Sequence, residues 1–189
     1  NEETIHNHPM ESDVYFKGSA QRLHKRNISE RTAQFFKVYR DEEFLRFPYY
    51  TSDGVLQGFK VKTKQKDFYY EGKTTDTFFG QYLFPVTGKW LIIYEGELDA
   101  MSGYEAKPDY NHMSLPHGAG SAKKDVQKQI PLLQGYTNIV LFFDNDDAGR
   151  QAAEDAASVL PPGKVKIARL SKYKDASDAL QDNNPDAIR

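Results

Sequence analysis

The chain has 189 residues, of which 39% are hydrophobic and 13% aromatic, and it carries a formal net charge of −2 with no cysteine. Its length allows one ordinary domain or two small ones, and no stretch is apolar enough to span a membrane. The absence of cysteine excludes disulfides, thiolate zinc sites and cysteine nucleophiles within the chain. Because the net charge is close to zero, any binding of nucleic acid requires a local basic patch.

In chain order, the first half of the sequence predicts a small, basic α+β subdomain over residues 14–86. It follows a polar segment, residues 1–13, that we expect to be flexible. The predicted elements are a basic helical segment at 21–38 and strands at 45–50, 55–63 and 68–71. Ser52-Asp53-Gly54, between the first two strands, is typical of a hairpin turn.

From residue 87 to residue 182, apolar strand-like runs alternate with helical segments, which indicates parallel βαβ units. The predicted strands are 90–94, 112–115, 138–143 and 165–170, and the predicted helices begin near Glu97, Ser121, Asp147 and Asp175. Asp147 is expected to cap its helix. The sequence therefore predicts an α/β domain with a four-stranded, mainly parallel sheet and flanking helices, followed by a polar end at 183–189.

The first acidic cluster lies where the strand predicted at 90–94 meets its helix. Gly96 allows a sharp turn, so Glu95 lies at the strand end and Asp99 points back from the first helical turn. Acidic residues also favour helix N-termini through the helix dipole. This alternative explains Glu97 well and Glu95 less well.

The second acidic cluster, Asp144, Asp146 and Asp147, follows the third predicted strand, and Asp175 follows the fourth. A lone Asp-x-Asp is as easily structural as functional, and Asp175 alone could be a helix cap. However, the carboxyl ends of neighbouring parallel strands meet at one edge of a sheet, so the clusters are expected to face one another. Crowded carboxylates take up protons or bind a divalent cation, and oxygen ligands favour Mg²⁺, Mn²⁺ or Ca²⁺ over zinc. The sequence therefore predicts a magnesium site.

A run of lysines in the first half carries charge suited to phosphates. Its members alternate along a predicted strand and would project to one side of it: Lys60, Lys62, Lys64 and Lys66. Lysines also occur on exposed edge strands to block unwanted pairing, and this alternative remains open.

A second candidate for phosphate binding is the glycine-rich loop 116–121, which precedes a helix that carries Lys123 and Lys124. Exposed amides at such a corner bind anions readily, although the loop fits no Walker pattern. His117 in this loop would either donate a hydrogen bond to a phosphate or cap the turn.

Three motifs together resemble a known family. They are Glu95-Gly96-Glu97-Leu98-Asp99, then Ser114-Leu115-Pro116-His117-Gly118-Ala119 with Ala122-Lys123-Lys124, and Phe143-Asp144-Asn145-Asp146-Asp147-Ala148-Gly149-Arg150. They are similar to the toprim domain, specifically the primase half of bifunctional primase–helicases of podovirus-type phages, and the resemblance covers residues 18–179. It implies an α/β toprim domain preceded by a smaller α+β subdomain.

The resemblance implies a DNA primase that synthesises short RNA primers on single-stranded DNA from nucleoside triphosphates by metal-dependent nucleotidyl transfer. The implied cofactor is Mg²⁺ or Mn²⁺, as two ions during catalysis, with no zinc in this part of the protein. The implied catalytic residues are Glu95, Asp144 and Asp146, the metal ligands are these three and Asp175, and the supporting acids are Glu97, Asp99 and Asp147. The lysines of both basic segments and His117 would contact phosphates of the triphosphate or the template.

The resemblance also implies partners for the full-length protein. The family carries a cysteine-ligated zinc module that reads the template and a helicase with a Walker loop, neither of which lies within this sequence. Residues 183–189 would lead towards the helicase linker. A replicative DNA polymerase is a further expected partner, and the cytoplasm of a phage-infected bacterium is the expected location, with no membrane partner.

Four alternatives remain at this level. The toprim carboxylates also serve nucleases and topoisomerases, although a topoisomerase needs a nucleophilic tyrosine in a separate domain. The chain could instead be a non-catalytic module that binds single-stranded DNA. A phosphatase of the haloacid-dehalogenase type also carries Asp-x-Asp, but after its first strand, whereas Asp144 and Asp146 follow the third predicted strand.

Overall fold

The computed structural model describes residues 14–42, 44–170 and 173–181, so the predicted flexible ends, 1–13 and 183–189, lie outside the described residues. In the first half, four antiparallel strands form a sheet in the order β1-β2-β3-β4. Its elements are a 3-10 turn (His24–Arg26), α1 (Glu30–Phe36), β1 (Tyr39–Asp41), β2 (Phe44–Tyr50), β3 (Leu56–Lys62) and β4 (Phe68–Gly72). Three of these strands correspond to predicted ones, and the short strand β1 was not predicted.

The helix predicted at 21–38 is wrong in its extent. The backbones of Leu23 and Ile28 hydrogen-bond to each other across a tight turn in which Asn27 has a φ of 55°, so the chain cannot continue as one helix. Helix α1 instead has its own start, where the Ser29 hydroxyl accepts a hydrogen bond from the Thr32 amide.

The predicted hairpin turn between β2 and β3 is confirmed. The Thr51 amide donates to the Val55 carbonyl, and Gly54 has a φ of 89°, a conformation that favours glycine. The prediction that four lysines share one side of a strand is wrong. Because β3 ends at Lys62, only Lys60 and Lys62 lie on it, whereas Lys64 and Lys66 lie in the turn that leads to β4.

In the second half, four parallel strands form a sheet in the order β6-β5-β7-β8, which confirms the predicted α/β class. The strands are β5 (Gly88–Tyr94), β6 (Asn111–Ser114), β7 (Tyr136–Phe142) and β8 (Val165–Ile167). The helices are α2 (Glu97–Ala106), α3 (Ala122–Lys128), α4 (Ile130–Leu133), α5 (Asp147–Ala157) and α6 (Ala176–Gln181).

Two details of this half differ from the prediction. Strand β8 is shorter than the predicted 165–170, and its pairing with β7 ends at Leu141 and Ile167. The second helix is divided: a 3-10 turn at Ala119–Ser121 leads into α3, and the unpredicted α4 follows. Neither difference affects the ends of β5 and β7, which precede Glu95 and Asp144.

The two sheets share a buried interior. One cluster of apolar side chains fills the space between the parallel sheet and α3 and α5, with Leu91, Ile139 and Leu141 at its centre. A second cluster joins residues of the first half, such as Phe36 and Phe47, to residues of α2 and α6. The division of the chain at residues 86 and 87 stays a prediction.

The connection between the halves also pairs with the parallel sheet. Phe79 and Ser114 exchange two backbone hydrogen bonds, of 3.0 and 3.1 Å, so the chain adds one antiparallel contact to the edge strand β6. Through the described ranges, no helix combines the length and apolar character needed to cross a bilayer.

Buried His112 connects β5, β6 and the end of α2. Its Nδ1 lies 3.0 Å from the Tyr94 hydroxyl and its Nε2 lies 2.7 Å from the carbonyl oxygen of Lys107. A neutral ring satisfies both contacts, with Nε2 donating to the carbonyl and Nδ1 accepting from the hydroxyl. Burial lowers the pKa of His112 to about 4.

We expect His112 to make the fold less stable in mild acid. Its folded pKa lies below its unfolded pKa, so stability is full above about pH 6.5 and is lost as the pH falls towards the folded value. Between about pH 7.5 and about pH 5 the wild type should lose roughly 2 kcal/mol of unfolding free energy relative to His112→Gln. Urea unfolding of both proteins over this pH range measures the difference in unfolding free energy. The acidic residues elsewhere titrate in both proteins, so their contributions cancel in this difference. Equal pH dependence in both proteins would contradict a neutral buried ring.

Candidate active site

The carboxyl ends of the two central strands carry the first pair of acids. Tyr94 at the end of β5 is in register with Phe142 at the end of β7. The residues that follow therefore meet: the Asp144 amide donates to Glu95 Oε1 at 3.3 Å. The sequence predicted this meeting from the strand ends alone.

A three-carboxylate cluster lies beside this pair. It contains Asp99 from the first turn of α2, Asp144 after β7 and Asp175 before α6, and one oxygen from each lies within 4.8 Å of the others. The Ser177 amide donates to Asp99 Oδ1 at 3.0 Å and so fixes the start of α6 against α2. Asp99, predicted only as a supporting acid, is thus a member of the cluster, as its helical spacing from Glu95 indicated.

Burial and mutual repulsion both disfavour the charged forms of these groups. Burial, with repulsion from Glu95 and Asp175, raises the pKa of Asp144 to about 8. Burial, with repulsion from Asp175 and Asp144, also holds the pKa of Asp99 well above its ordinary value. The pKa of Glu95 is raised chiefly by burial. Such crowding is relieved by a proton or by a divalent cation.

One further observation fits a bound cation as well as a proton shared with Glu95. Asp144 Oδ1 is buried and, among the residues that the structure describes, has no hydrogen-bond partner. A buried carboxylate oxygen without a partner is costly, and a coordinated Mg²⁺ or Mn²⁺ would satisfy it. The all-oxygen cluster of Asp99, Asp144 and Asp175 therefore fits a hard divalent cation.

Comparison with known proteins agrees with this geometry. A family described as Toprim-like matches residues 92–180. The crystal structure of the primase fragment of the bacteriophage T7 primase–helicase protein is similar over 93% of this chain and 77% of that chain, with a TM-score of 0.85 and 33% identity. This chain belongs to the toprim family.

Two further similarities define its branch of the toprim family. The DNA helicase/primase of Enterobacteria phage T3 is 36% identical over 180 residues, which cover 90% of this chain. The chain spans 31% of the length of that relative. A second T7 structure shows lagging-strand DNA polymerase interacting with primase domains of two gp4 subunits bound to an RNA/DNA hybrid and dTTP. The matched chain is 33% identical to this one, and the similarity covers 91% of this chain and 89% of that chain with a TM-score of 0.83.

The other acids of the toprim motif have different surroundings. Asp146 caps α5, because its Oδ1 accepts from the Gly149 amide at 2.7 Å, and its Oδ2 lies 3.9 Å from Lys174 Nζ. The prediction that Asp147 caps this helix is wrong. Asp147 is already the first helical residue, so its carboxylate projects into solvent and pairs with Arg150.

Glu97 lies apart from the acidic cluster and connects the toprim domain to the antiparallel sheet. Its buried carboxylate accepts from the Tyr49 hydroxyl at 2.6 Å and lies 3.0 Å from Lys60 Nζ. The same ammonium group also donates to the carbonyl oxygen of Pro116 at 3.2 Å. Lys60 is therefore held at the cleft between β3 and the loop that contains His117. Further along β3, burial lowers the pKa of Lys62 to about 8.

The predicted anion loop lies on the same side of the toprim sheet. His117 Nδ1 lies 3.1 Å from Oδ2 of the buried Asp125, which orients the ring. Gly118 has a φ of 71°, and α3 follows with Lys123 and Lys124 exposed in its first turn. The structure thus brings this loop near Lys60, while the phosphate-binding role of both remains a prediction.

Replacement of Asp144 by Asn should stabilise the metal-free protein. The folded chain raises the pKa of this carboxyl from its ordinary value to about 8, so its stabilising protonation is lost as the pH rises through that value. At about pH 8, and after allowance for solvent screening, Asp144→Asn should gain roughly 1–2 kcal/mol of unfolding free energy.

The same variant should respond oppositely to metal. Added Mg²⁺ or Mn²⁺ should raise the melting temperature of the wild type more than that of Asp144→Asn, because the ion binds the folded site. Thermal unfolding with a chelator and with each metal measures both effects. Asp155→Asn, on the solvent side of α5, is the matched control and should behave as the wild type. Equal metal response in all three proteins would contradict a cation site at Asp144.

A methyl group at Gly149 should disturb the site through the backbone. A Cβ there would overlap the carbonyl oxygen of Asp144, so α5 could approach the strand end less closely. Gly149→Ala should lower the unfolding free energy by roughly 1–3 kcal/mol and weaken the response to metal. Gly163→Ala, where a Cβ meets no atom within 4 Å, is the control for thermal unfolding. A stable Gly149→Ala protein with normal metal response would show that this close contact is dispensable.

Proposed function

We propose that this chain is the RNA-polymerising part of a primase–helicase, which synthesises short RNA primers on single-stranded DNA. The observation that carries the proposal is the cluster of buried Asp99 with half-buried Asp144 and Asp175 beside Glu95, in a chain that is 36% identical to a phage DNA helicase/primase. Nucleotidyl transfer needs such a cluster, because metal ions held by carboxylates bring the triphosphate and the attacking hydroxyl together.

The proposed cofactor is Mg²⁺ or Mn²⁺, as two ions during catalysis, held by Asp144 and Asp175 with Glu95 and Asp146 as the predicted further ligands. The unpartnered Asp144 Oδ1 and the proximity of Asp99 support this assignment. When bound, the metal would lower the pKa of the attacking hydroxyl and neutralise charge on the pyrophosphate that leaves.

Glu95 is our candidate for moving the proton. In the proposed reaction, the 3′-hydroxyl of the primer attacks the α-phosphorus, the hydroxyl proton passes to a Glu95 carboxylate oxygen, and pyrophosphate departs. A carboxylate whose pKa is raised by burial is a stronger base than an exposed one. The Asp144 amide keeps this side chain at the strand end by its hydrogen bond to Oε1.

The other predicted residues have supporting parts in this proposal. Besides its predicted part as a metal ligand, Asp146 holds the start of α5 and faces Lys174, so it positions the segment that carries Asp144. Lys62, Lys64 and Lys66 on one side, and His117, Lys123 and Lys124 on the other, would contact phosphates of the template or the triphosphate. Phosphate contacts of this kind position a strand without reading its sequence.

The partners of the full-length protein follow from the relatives. Because the phage T3 relative is named a helicase/primase, we propose a helicase as part of the same protein. Because T7 lagging-strand polymerase interacts with primase domains in a solved structure, we propose a replicative polymerase as a partner. A phage replication protein of this kind would act in the cytoplasm of the infected bacterium, on single-stranded DNA and nucleoside triphosphates.

Primer synthesis on mixed single-stranded DNA, from labelled nucleoside triphosphates with Mg²⁺ or Mn²⁺, tests the proposal. Glu95→Gln and Asp144→Asn should each lower product formation by roughly 100-fold or more, since each removes a group at the reacting centre. Asp155→Asn on the outer face of α5 should retain wild-type activity.

The assay needs a second arm that does not depend on initiation. A preformed oligonucleotide supplied with the template allows extension to be measured when de novo synthesis is weak. Absence of both synthesis and extension by the wild type, with intact metal binding, would overturn the catalytic proposal. Metal-dependent cleavage of the DNA would favour a toprim nuclease, and DNA binding alone would favour a non-catalytic module.

A further inference from the structure

Strand β4, at the edge of the antiparallel sheet, exposes three large aromatic side chains. Phe68 is 50% exposed, Tyr69 40% and Tyr70 46%. Because side chains alternate along a strand, Phe68 and Tyr70 lie on one face and Tyr69 on the other. Adjacent exposed rings of this size indicate an interaction site.

The face that carries Tyr69 is covered in part. Phe59 and Val61 are buried on that face, and Phe16 packs edge-on against Phe59 with ring centroids 5.3 Å apart. Tyr69 itself has an aromatic neighbour, since its ring lies 6.3 Å from that of Phe44. This face is therefore covered around Phe59 and Val61, while the Tyr69 ring near the sheet edge stays 40% exposed.

The opposite face opens towards the candidate active site. Tyr70 lines a small recess together with Tyr49, Pro116 and His117. Tyr49 in turn contacts Glu97, which precedes the cluster residue Asp99 on α2. The Tyr70 ring thus lies beside the loop that contains His117, and Phe68 lies two residues earlier on the same face of β4.

Cations accompany the two rings on this face. Phe68 is opposite Lys62 and Tyr70 is opposite Lys60, and the ammonium groups of these lysines lie 6.0 and 5.1 Å from the Phe68 ring centroid. Residues 60–73 contain five lysines against two acids, of which Glu71 pairs with Arg46 on the covered face. The open face is consequently positive and aromatic.

Rings interleaved with lysines fit one class of occupant. In single-stranded nucleic acid the base faces are free to stack on aromatic side chains while the phosphates pair with cations. A duplex does not offer its base faces, and an apolar peptide would leave the lysines without counter-charge. We propose that Phe68 and Tyr70 stack on bases of single-stranded DNA and guide it along β4 towards the acidic cluster.

This proposal deepens the proposed function, since the strand that it guides would be the template. Every base has a flat face, so stacking here tolerates any sequence. The two rings would therefore hold the template while leaving sequence recognition to another part of the protein.

Fluorescence anisotropy with labelled oligodeoxythymidylate of about 15 nucleotides, without divalent metal, tests the contact. Phe68→Ala and Tyr70→Ala should each weaken binding by about tenfold, and Tyr70→Phe should retain wild-type affinity. Tyr69→Ala removes a ring of similar exposure from the opposite face of the same strand and is the matched control. It should change affinity by less than about threefold, with melting temperatures recorded for all variants.

An abasic oligonucleotide of the same length separates stacking from charge. The wild type should bind the abasic strand about as weakly as the Phe68→Ala/Tyr70→Ala double variant binds oligodeoxythymidylate. The double variant should bind the two oligonucleotides with nearly equal affinity. The slope of log affinity against log salt concentration should be unchanged in the double variant. Lys66→Gln should reduce the magnitude of this slope by about 0.7. Equal wild-type affinity for both oligonucleotides, or no loss in the alanine variants, would overturn the proposal.

The outcome is independent of the outcome for catalysis. If the wild type makes primers but the rings do not affect binding, the stacking proposal fails and the primase proposal stands. If the rings hold DNA but the wild type makes no product, the stacking proposal stands alone. Preference for single-stranded RNA over DNA, or failure of the wild type to bind either, would also refute the proposed occupant.

Discussion

Mutual repulsion between carboxylates at one edge of the parallel sheet is the constraint around which the structure is arranged. Glu95 and Asp144 are brought together because β5 and β7 pair in register through their last residues. Asp99 and Asp175 join them from the starts of two helices. Burial makes the repulsion stronger, and the apolar core beneath the sheet offsets it by holding the strands in place. A fold that retains such a cost is expected to use it at a functional site.

The short turn after β5 serves both halves of the molecule. Glu95 faces the acidic cluster, whereas Glu97, two residues later, faces Tyr49 and Lys60 of the antiparallel sheet. One turn therefore sets the position of the acids and also holds the basic sheet against the cleft. A positively charged wall opposite an acidic cluster suits a substrate that carries phosphates and binds metal.

Helix α5 likewise contributes both to the fold and to the position of the acidic cluster. Its start is capped by Asp146, and Gly149 allows it to lie directly behind the carbonyl of Asp144. The Asp-x-Asp motif thus combines an acid that belongs to the cluster with an acid that holds the helix. The structural interpretation of this motif is confirmed for Asp146, whereas the metal-binding role of Asp144 stays a prediction.

Local pattern was sufficient for much of the fold and for part of the site. The alternation of apolar runs with helical segments predicted the parallel sheet, and acids at successive strand ends predicted that Glu95, Asp144 and Asp175 would lie at one edge. The lysine run was misjudged, because a period of two holds only while the strand continues, and β3 ends at Lys62. The cap of α5 was displaced by one residue, since helix starts depend on backbone geometry that composition leaves open.

The sequence by itself determined the fold class and the acidic strand ends, because hydrophobic period and strand polarity are local properties. The partner of Glu97 was set by the tertiary structure, which turns this acid away from the cluster to Tyr49 and Lys60. It also decided that Tyr70 lies beside Tyr49 and His117, with Phe68 on the same face of β4 and Tyr69 on the other. These outcomes depend on contacts between residues far apart in the chain, which no local pattern contains.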